Sequence, residues 1–283
     1  MSVAIVTLGR AAKLERALRA LAALAPGSPP FEVVVVLDGD DAATTAVLQR
    51  DHPFTLRSFT QDHAGAGPAR NRAAHEARGE LLLFLNDDTR PDPVCLSAHV
   101  AAQERHGPCL GAGLVTWDPE AETTPYMRWL APAGHQFNFS RLTPGKPVPW
   151  DAVWATNLAA PRPWVLDEPF ASSFPPGCLE DSEWAFRQYR RGRHGVFVPA
   201  AVAFHDHHYA GPADFRDRAR TFGTAARSMV ARHPGLTVRF TLRPLAAAVA
   251  RAVSLAWPSR HRRQRLWDLD FRVNYLIGLL RPR

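Results

Sequence analysis

Three scarcities narrow what this 283-residue chain can be. Its cysteines are only Cys95, Cys109 and Cys178, an odd number with no Cys-x-x-Cys spacing. A disulfide scaffold and a thiolate metal knuckle are thereby excluded, and buried thiols in a reducing cytosol are the simplest account. Long apolar runs are also missing. The nearest to one, Leu245 to Trp257, is broken by Arg251 and Ser254, and it is shorter than the roughly 20 residues that span a bilayer. The start, Met1-Ser-Val-Ala-Ile-Val-Thr7, has no basic stretch ahead of an apolar core; it reads as a first strand and not as an export signal. Lysine is the third scarcity: Lys13 and Lys146 stand beside many arginines, a bias of base composition that carries no function.

The familiar phosphate-binding loops are absent as well. No Gly-x-x-x-x-Gly-Lys-Ser/Thr occurs, and Gly65-Ala-Gly67 has Arg70 where a dinucleotide fingerprint needs its third glycine. The first strand-to-helix turn, Thr7-Leu-Gly-Arg10, holds a single glycine. A nucleotide on this chain would be held by side chains and a metal ion.

What is present is a composition able to bury a core, with 46% hydrophobic and 22% charged residues. Its length suits one large α/β domain or two smaller ones. The 25 prolines gather in loops such as Pro26 to Pro30 and Pro144 to Pro149. The net charge of +7 is uneven: Arg239 to Arg283 holds ten Arg against Asp268 and Asp270, while the preceding residues hold 24 Lys and Arg against 25 acids. The basic tail has two readings. It suits the anionic surface of a membrane, or it is a pair of helices packed on the domain with arginines in water. Nucleic acid is not an expected partner, because no aromatic–basic interleaving or recognition motif accompanies the charge.

Strand and helix patterns alternate. Val3–Val6, Phe31–Leu37, Leu81–Leu85 and Leu110–Val115 are apolar strands. Between them, 11–25, 68–77 and 93–105 carry helical spacing, with Arg16 and Arg19 on the wet face of the first. Alternation of this kind implies βαβ units and a mostly parallel sheet flanked by helices. The second half is less regular: 134–153 reads as loop, 179–191 as helix, and Gly195–Val198 and Ala201–Phe204 as two short strands.

The densest signal is Glu80-Leu-Leu-Leu-Phe-Leu-Asn-Asp-Asp-Thr89, a buried strand that stops at two carboxylates. Ligands of open α/β sheets bind beyond such strand ends. Asp87 and Asp88 suit a divalent cation facing a phosphorylated ligand, or else the stretch merely caps the next helix. Further on, His205, His207 and His208 follow a strand, the first two on one face. A zinc cluster, a third metal ligand and a wet loop all remain open for them.

Six segments in order give the chain a resemblance. Val3-Ala-Ile-Val-Thr-Leu-Gly-Arg10, Val33-Val-Val-Val-Leu-Asp-Gly39, Ala69-Arg-Asn-Arg72, Leu83-Phe-Leu-Asn-Asp-Asp88, Ala155-Thr-Asn157 and Glu180-Asp-Ser-Glu-Trp-Ala-Phe-Arg187 resemble the family-2 glycosyltransferases of GT-A fold. The match covers roughly Val3 to His208. The resemblance implies an inverting, metal-dependent transferase of hexosyltransferase class. It would use a nucleoside diphosphate sugar, UDP first and GDP or dTDP as the other bases.

Position by position, it implies that Thr7, Arg10, Asp38, Arg70, Asn71, Asn86 and Asp87 contact the nucleotide. Asp88 and His205 would hold Mn²⁺ or Mg²⁺, and Asp181 would be the general base. Trp154, Asn157 and Glu180 would meet the acceptor, a lipid-linked or cell-surface glycan of the cell envelope. Trp154 also reads as core, and Glu180-Asp181 as a helix cap. Departures are Val6 for a proline, Leu8 for an aromatic or polar residue, and Asn86 for an acid.

The expected organisation is a catalytic domain over 1–210, with a nucleotide half at 1–116 and an acceptor half at 117–210. A basic helical extension over 211–283 would follow. The expected location is the cytoplasm, with the protein peripheral on the inner face of the membrane. Two other readings of the same residues are a non-catalytic glycan or membrane adaptor and a sugar nucleotidyltransferase. The second would need a glycine-rich loop and lysine that Thr7 to Lys13 does not supply.

Overall fold

A computed structural model describes residues 1–281 apart from Ala133, Gly145, Ser173, Pro176 and Gly177. The first half alternates as its periodicity requires: β1 (Ser2–Thr7), α1 (Ala11–Ala22), β2 (Glu32–Asp38), α2 (Ala42–Leu48), β3 (Thr55–Gln61), α3 (Ala66–Glu76) and β4 (Leu81–Asn86). Then come β5 (Thr89–Pro91), α4 (Cys95–His106), β6 (Leu110–Trp117) and α5 (Pro125–Leu130). The short β7 (Pro147–Val148), β8 (Asn157–Pro161), α6 (Arg162–Asp167), α7 (Glu180–Arg190) and β9 (Gly195–His205) complete the sheet and its cover. Three helices end the chain: α8 (Arg216–Arg232), α9 (Arg243–Ser254) and α10 (Arg262–Leu280).

Among the described residues nine strands form one sheet in the order β3-β2-β1-β4-β8-β6-β9-β5, with β7 also on β9. The run β3-β2-β1-β4 is parallel. Strand β8 then lies antiparallel to both β4 and β6, while β6 and β9 run parallel. Successive side chains of the central strands enter opposite cores. Val34, Val36, Leu82 and Phe84 meet Ala69 and Ala73 of α3, whereas Val33, Val35, Leu83 and Leu85 meet Leu14, Leu18 and Leu21 of α1. Burial on both faces is why these strands read as unbroken apolar runs.

Two elements escape the sequence pattern. Helix α2 is only seven residues long and is held by its cap, with the Asp41 carboxylate accepting from Ala43 N. Strand β3 lies at the sheet edge and is half exposed, so it lacks an apolar run. The two short strands expected at 195–198 and 201–204 are one strand. Its register on β6 jumps from Gly113↔Val198 to Leu114↔Val202, which leaves exposed Pro199 and Ala200 and buried Ala201 as a bulge.

The chain divides into two compact units. The first holds Met1–Thr123, Leu130–Ser172 and Asp181–His207; the second holds Thr124–Trp129, Ser173–Glu180 and His208–Arg283. Within the second, α8 and α10 approach so closely at Gly223 and Gly278 that a Cβ on either would sit 1.9 Å from a carbonyl of the facing helix.

Candidate active site

The site grows from the end of β4. Beyond Asn86 the chain turns through Asp87 and Asp88 into β5, which pairs antiparallel with the end of β9, Thr89 opposite His205. Asp206 N donates to Asp88 O (2.8 Å), extending that ladder by one step. The register sets Asp88 beside two imidazoles: Oδ1 lies 3.7 Å from His205 Nε2 and Oδ2 lies 3.6 Å from His207 Nδ1. The two rings stack at 5.3 Å, as residues two apart on an extended segment can.

Ligand atoms of all three residues fall within 4.8 Å of one another. Ligands around one divalent ion stand about 3 to 4.4 Å apart, so a small contraction suffices. Asp88 is 4% exposed, and its Oδ1 has no hydrogen-bond partner. A buried acceptor without a donor is costly unless something fills its place. A hard carboxylate with two imidazoles suits a divalent cation, so the residues fit the ion that the sequence implies. Burial alone would raise the Asp88 pKa; His205, His207 and Arg10 outweigh it and hold the carboxyl well below the usual range. Asp88 is therefore ionised at neutral pH, as a ligand must be.

Asp87 faces the other way. Its Oδ2 accepts from Thr7 Oγ1 (2.8 Å) at the end of β1, and its Oδ1 accepts from Arg10 Nη1 (3.1 Å). The same Nη1 donates to Asp88 Oδ2 (3.0 Å), so one half-exposed guanidinium spans both acids. Burial pushes the Asp87 carboxyl up and the Asp88 charge adds to this, against the pull of Arg10 and Thr7. Helix α1 braces the histidine segment: Lys13 Nζ donates to Asp206 O, and Arg16 reaches Asp206 and the buried Asp118. Arg16 makes these bonds from the exposed face that its spacing gives it, and Arg19, also exposed, pairs with Glu15.

The expected nucleotide contacts divide. Thr7, Arg10 and Asp87 converge on the metal cluster. The buried Asp38 carboxylate is instead used up by the loop after β3: Gln61 Nε2 and Ala64 N donate to Oδ1, and Gly65 N and His63 Nδ1 donate to Oδ2. With four donors in place it has little capacity for a base. Half-exposed His63, which the sequence did not single out, is the group that faces outward there. Asn71 is likewise a staple, donating to Phe170 O and accepting from Phe170 N, both at 2.8 Å. Arg70 is buried with its guanidinium over the Phe170 ring. The polar groups of Asp38 and Asn71, both expected at the nucleotide, are thus engaged within the fold.

Asp181 is tied to the segment that leads into β8. Leu85 of β4 pairs with Asn157, and one step on Asn86 Nδ2 donates to Thr156 Oγ1 (3.3 Å). Ala155 N, the next backbone donor, is bonded to Asp181 Oδ2 (3.0 Å), while Ser182 N donates to Oδ1 (2.7 Å). The Ala155-Thr-Asn157 segment therefore links Asp181 to Asn86 at the C-terminal end of β4. Thr156 is a bridging residue to which the resemblance gave no role. Glu180 is buried at the first turn of α7.

Two residues expected at the acceptor, Asn157 and Trp154, make contacts within the fold. Asn157 is 1% exposed. Its Nδ2 donates to Ala201 O (2.8 Å) and Leu114 O (3.2 Å), and its Oδ1 faces His99 Nε2 (2.9 Å) and Cys95 Sγ (3.7 Å). All its hydrogen-bonding capacity is thus met by β6, β9 and α4. Gly113 makes room for it, since a Cβ there would lie 2.2 Å from Asn157 Nδ2. Trp154 packs edge-on against Phe139 and Phe137, and Phe137 in turn meets the edge of His205 at 5.4 Å. Phe137 holds a positive φ of 52°, an uncommon backbone state for a bulky residue that is seen where a site demands it.

Known proteins give this chain a family and a fold. The family model of Glycosyl transferase family 2 matches residues 2–158, more than half of the chain. No curated protein sequence matches significantly. Among solved structures, mannosyltransferase PcManGT from Pyrobaculum calidifontis, in complex with GDP-Man and Mn²⁺, is similar with a TM-score of 0.68 and 17% identity. The likeness covers 99% of this chain and 86% of that one. S. aureus TarS 1-349, in complex with UDP-GlcNAc, is similar with a TM-score of 0.56 and 16% identity, over 98% of this chain and 90% of that one. At such identities these likenesses establish the GT-A fold.

Proposed function

The chain belongs to glycosyl transferase family 2, and from that premise we propose that it moves a hexose from a nucleoside diphosphate sugar to a hydroxyl acceptor with inversion. The observation that carries the reading is the Asp88–His205–His207 cluster at the end of β4, beside Asp87 and Arg10. Those three residues would hold Mn²⁺ or Mg²⁺, and two imidazoles favour Mn²⁺. When bound, such an ion neutralises charge developing on the departing diphosphate.

The protein's own groups do the rest. Arg10 is half exposed and within reach of two acids, so it offers a second positive charge to the phosphates. Thr7 and Arg10 hold Asp87 in place, which fixes the loop that presents Asp88. Asp181, oriented by Ala155 N and Ser182 N, takes the proton from the acceptor hydroxyl as its oxygen attacks the anomeric carbon opposite the diphosphate. Such a base contributes roughly 10²–10⁴-fold. Base contact is assigned to His63 and its neighbours, since Asp38 is spent on its own loop.

The transfer chemistry is assigned to residues 1–210, with the nucleotide on 1–116 and the acceptor on 117–210, and the extension follows. A lipid-linked or cell-surface glycan at the inner face of the membrane is the assigned acceptor, and UDP the first nucleotide to try. PcManGT with GDP-Man and TarS with UDP-GlcNAc support a nucleotide-sugar donor in general. Calorimetry with UDP, GDP and dTDP, each with and without Mn²⁺, tests the reading. Tight binding of one of them only with Mn²⁺ is expected, and no Mn²⁺-dependent binding of any would overturn it.

A further inference from the structure

We propose that the second unit docks on the surface of an anionic bilayer through helix α9, whose apolar side faces outward. Surface helices ordinarily bury their apolar stripe and expose their charges. Here the arrangement is reversed. Leu242, Leu245, Val249 and Val253 follow one another at spacings of three or four, so they line one face, Trp257 follows just beyond the helix end, and each is between 49% and 62% exposed. Between Pro244 and Trp257 the single charged residue is Arg251, and it turns inward to bond Asp268. Alanines fill the rest of the outward face, and buried Ala248 lies on the opposite one. A continuous exposed apolar face of this kind marks a binding surface.

Charge decides the occupant. Exposed arginines flank the face, Arg243 at its start and Arg260, Arg262 and Arg263 after it. Asp268 and Asp270, the two acids from residue 239 onward, are already paired, the first with Arg251 and Arg272 and the second with Arg216. A second copy of this face would bring arginines against arginines. Anionic headgroups around an apolar interior match both features, and Trp257 at the end of the face suits the headgroup level. No helix among the described residues is long and apolar enough to cross a membrane. With α9 and the turn before it spanning only 238–254, the segment would lie in the plane of the interface.

The inference goes beyond the transfer reading and does not depend on it. Flotation of the full chain with vesicles of phosphatidylglycerol plus phosphatidylcholine, or of phosphatidylcholine alone, tests it without any donor or acceptor. The protein is expected to float with the anionic vesicles and to be left behind by the neutral ones. Val249→Asp changes an exposed side chain and is expected to lower partitioning by on the order of tenfold or more with an unchanged melting curve. Each of Arg262→Ala and Arg263→Ala is expected to lower it by about fivefold. Equal flotation of wild type and Val249→Asp, or no flotation with anionic vesicles, overturns the proposal. A wild-type dimer in light scattering that Val249→Asp converts to monomer would give the face to a second copy instead, and also overturns it.

Discussion

Replacing Asn157 by Ala should destabilise the first unit rather than weaken acceptor binding. The side chain makes two bonds to strand carbonyls and accepts from His99 and Cys95. Its amide nitrogen faces Ala201 O and Leu114 O, so its oxygen must face His99, and the neutral imidazole must carry its proton on Nε2. Truncation strands that N–H at a residue that is fully buried. A buried donor left unmet costs about 1–3 kcal/mol, and two under-satisfied carbonyls add less each. With the small cavity left behind, the total is on the order of 3–5 kcal/mol, a large share of a stability of roughly 5–15 kcal/mol. By the usual scaling Tm falls on the order of 10 °C. Thermal melting followed by circular dichroism, without ligand, measures this. If the variant melts within a few degrees of wild type while its KM for acceptor rises, Asn157 lines an accessible pocket and the reasoning from burial fails.

Three other outcomes follow from the geometry. Burial lowers the His99 pKa to about 4, against the opposing bond to Asn157; the unfolded chain takes up that proton near 6.5 and the folded one only near 4. Stability from this group is complete above the unfolded value and is lost as pH falls between the two, by roughly 3 kcal/mol in all. His99→Phe should flatten that slope in denaturant titrations run across the window, and an unchanged slope would assign it to another group. Asp88→Asn and His207→Ala should each weaken Mn²⁺ binding in electron paramagnetic resonance titrations by at least about tenfold; normal affinity in His207→Ala would leave the ion to Asp88 and His205. Asp181→Asn should lower kcat by roughly 10²–10⁴-fold while sparing Mn²⁺-dependent nucleotide binding. Because both carboxylate oxygens accept from backbone N–H groups, that variant also loses one bond, about 1 kcal/mol, so a small drop in Tm is expected alongside and near-normal turnover would place the base elsewhere.

Read by itself, the sequence determined the α/β class, the nucleotide half apart from α2 and β3, and the strand end where the acids gather. Apolar strands, helical spacing and an abrupt stop at Asp87 and Asp88 are local properties, written in consecutive residues. The alternation of His205 and His207 was equally local, and it put two imidazoles on one face without saying what they faced. Tertiary structure decided that they face Asp88, through the pairing of β5 with β9 across more than a hundred residues. It also decided that Asp38, Asn71 and Asn157, which in sequence look like contacts awaiting a ligand, have their hydrogen bonds filled from within. The outward turn of α9 belongs to the same class, since its stripe was readable but the side it would show to solvent was not. Which partner a polar or apolar group meets is set by strand register and helix packing between distant segments, and periodicity along the chain does not encode it.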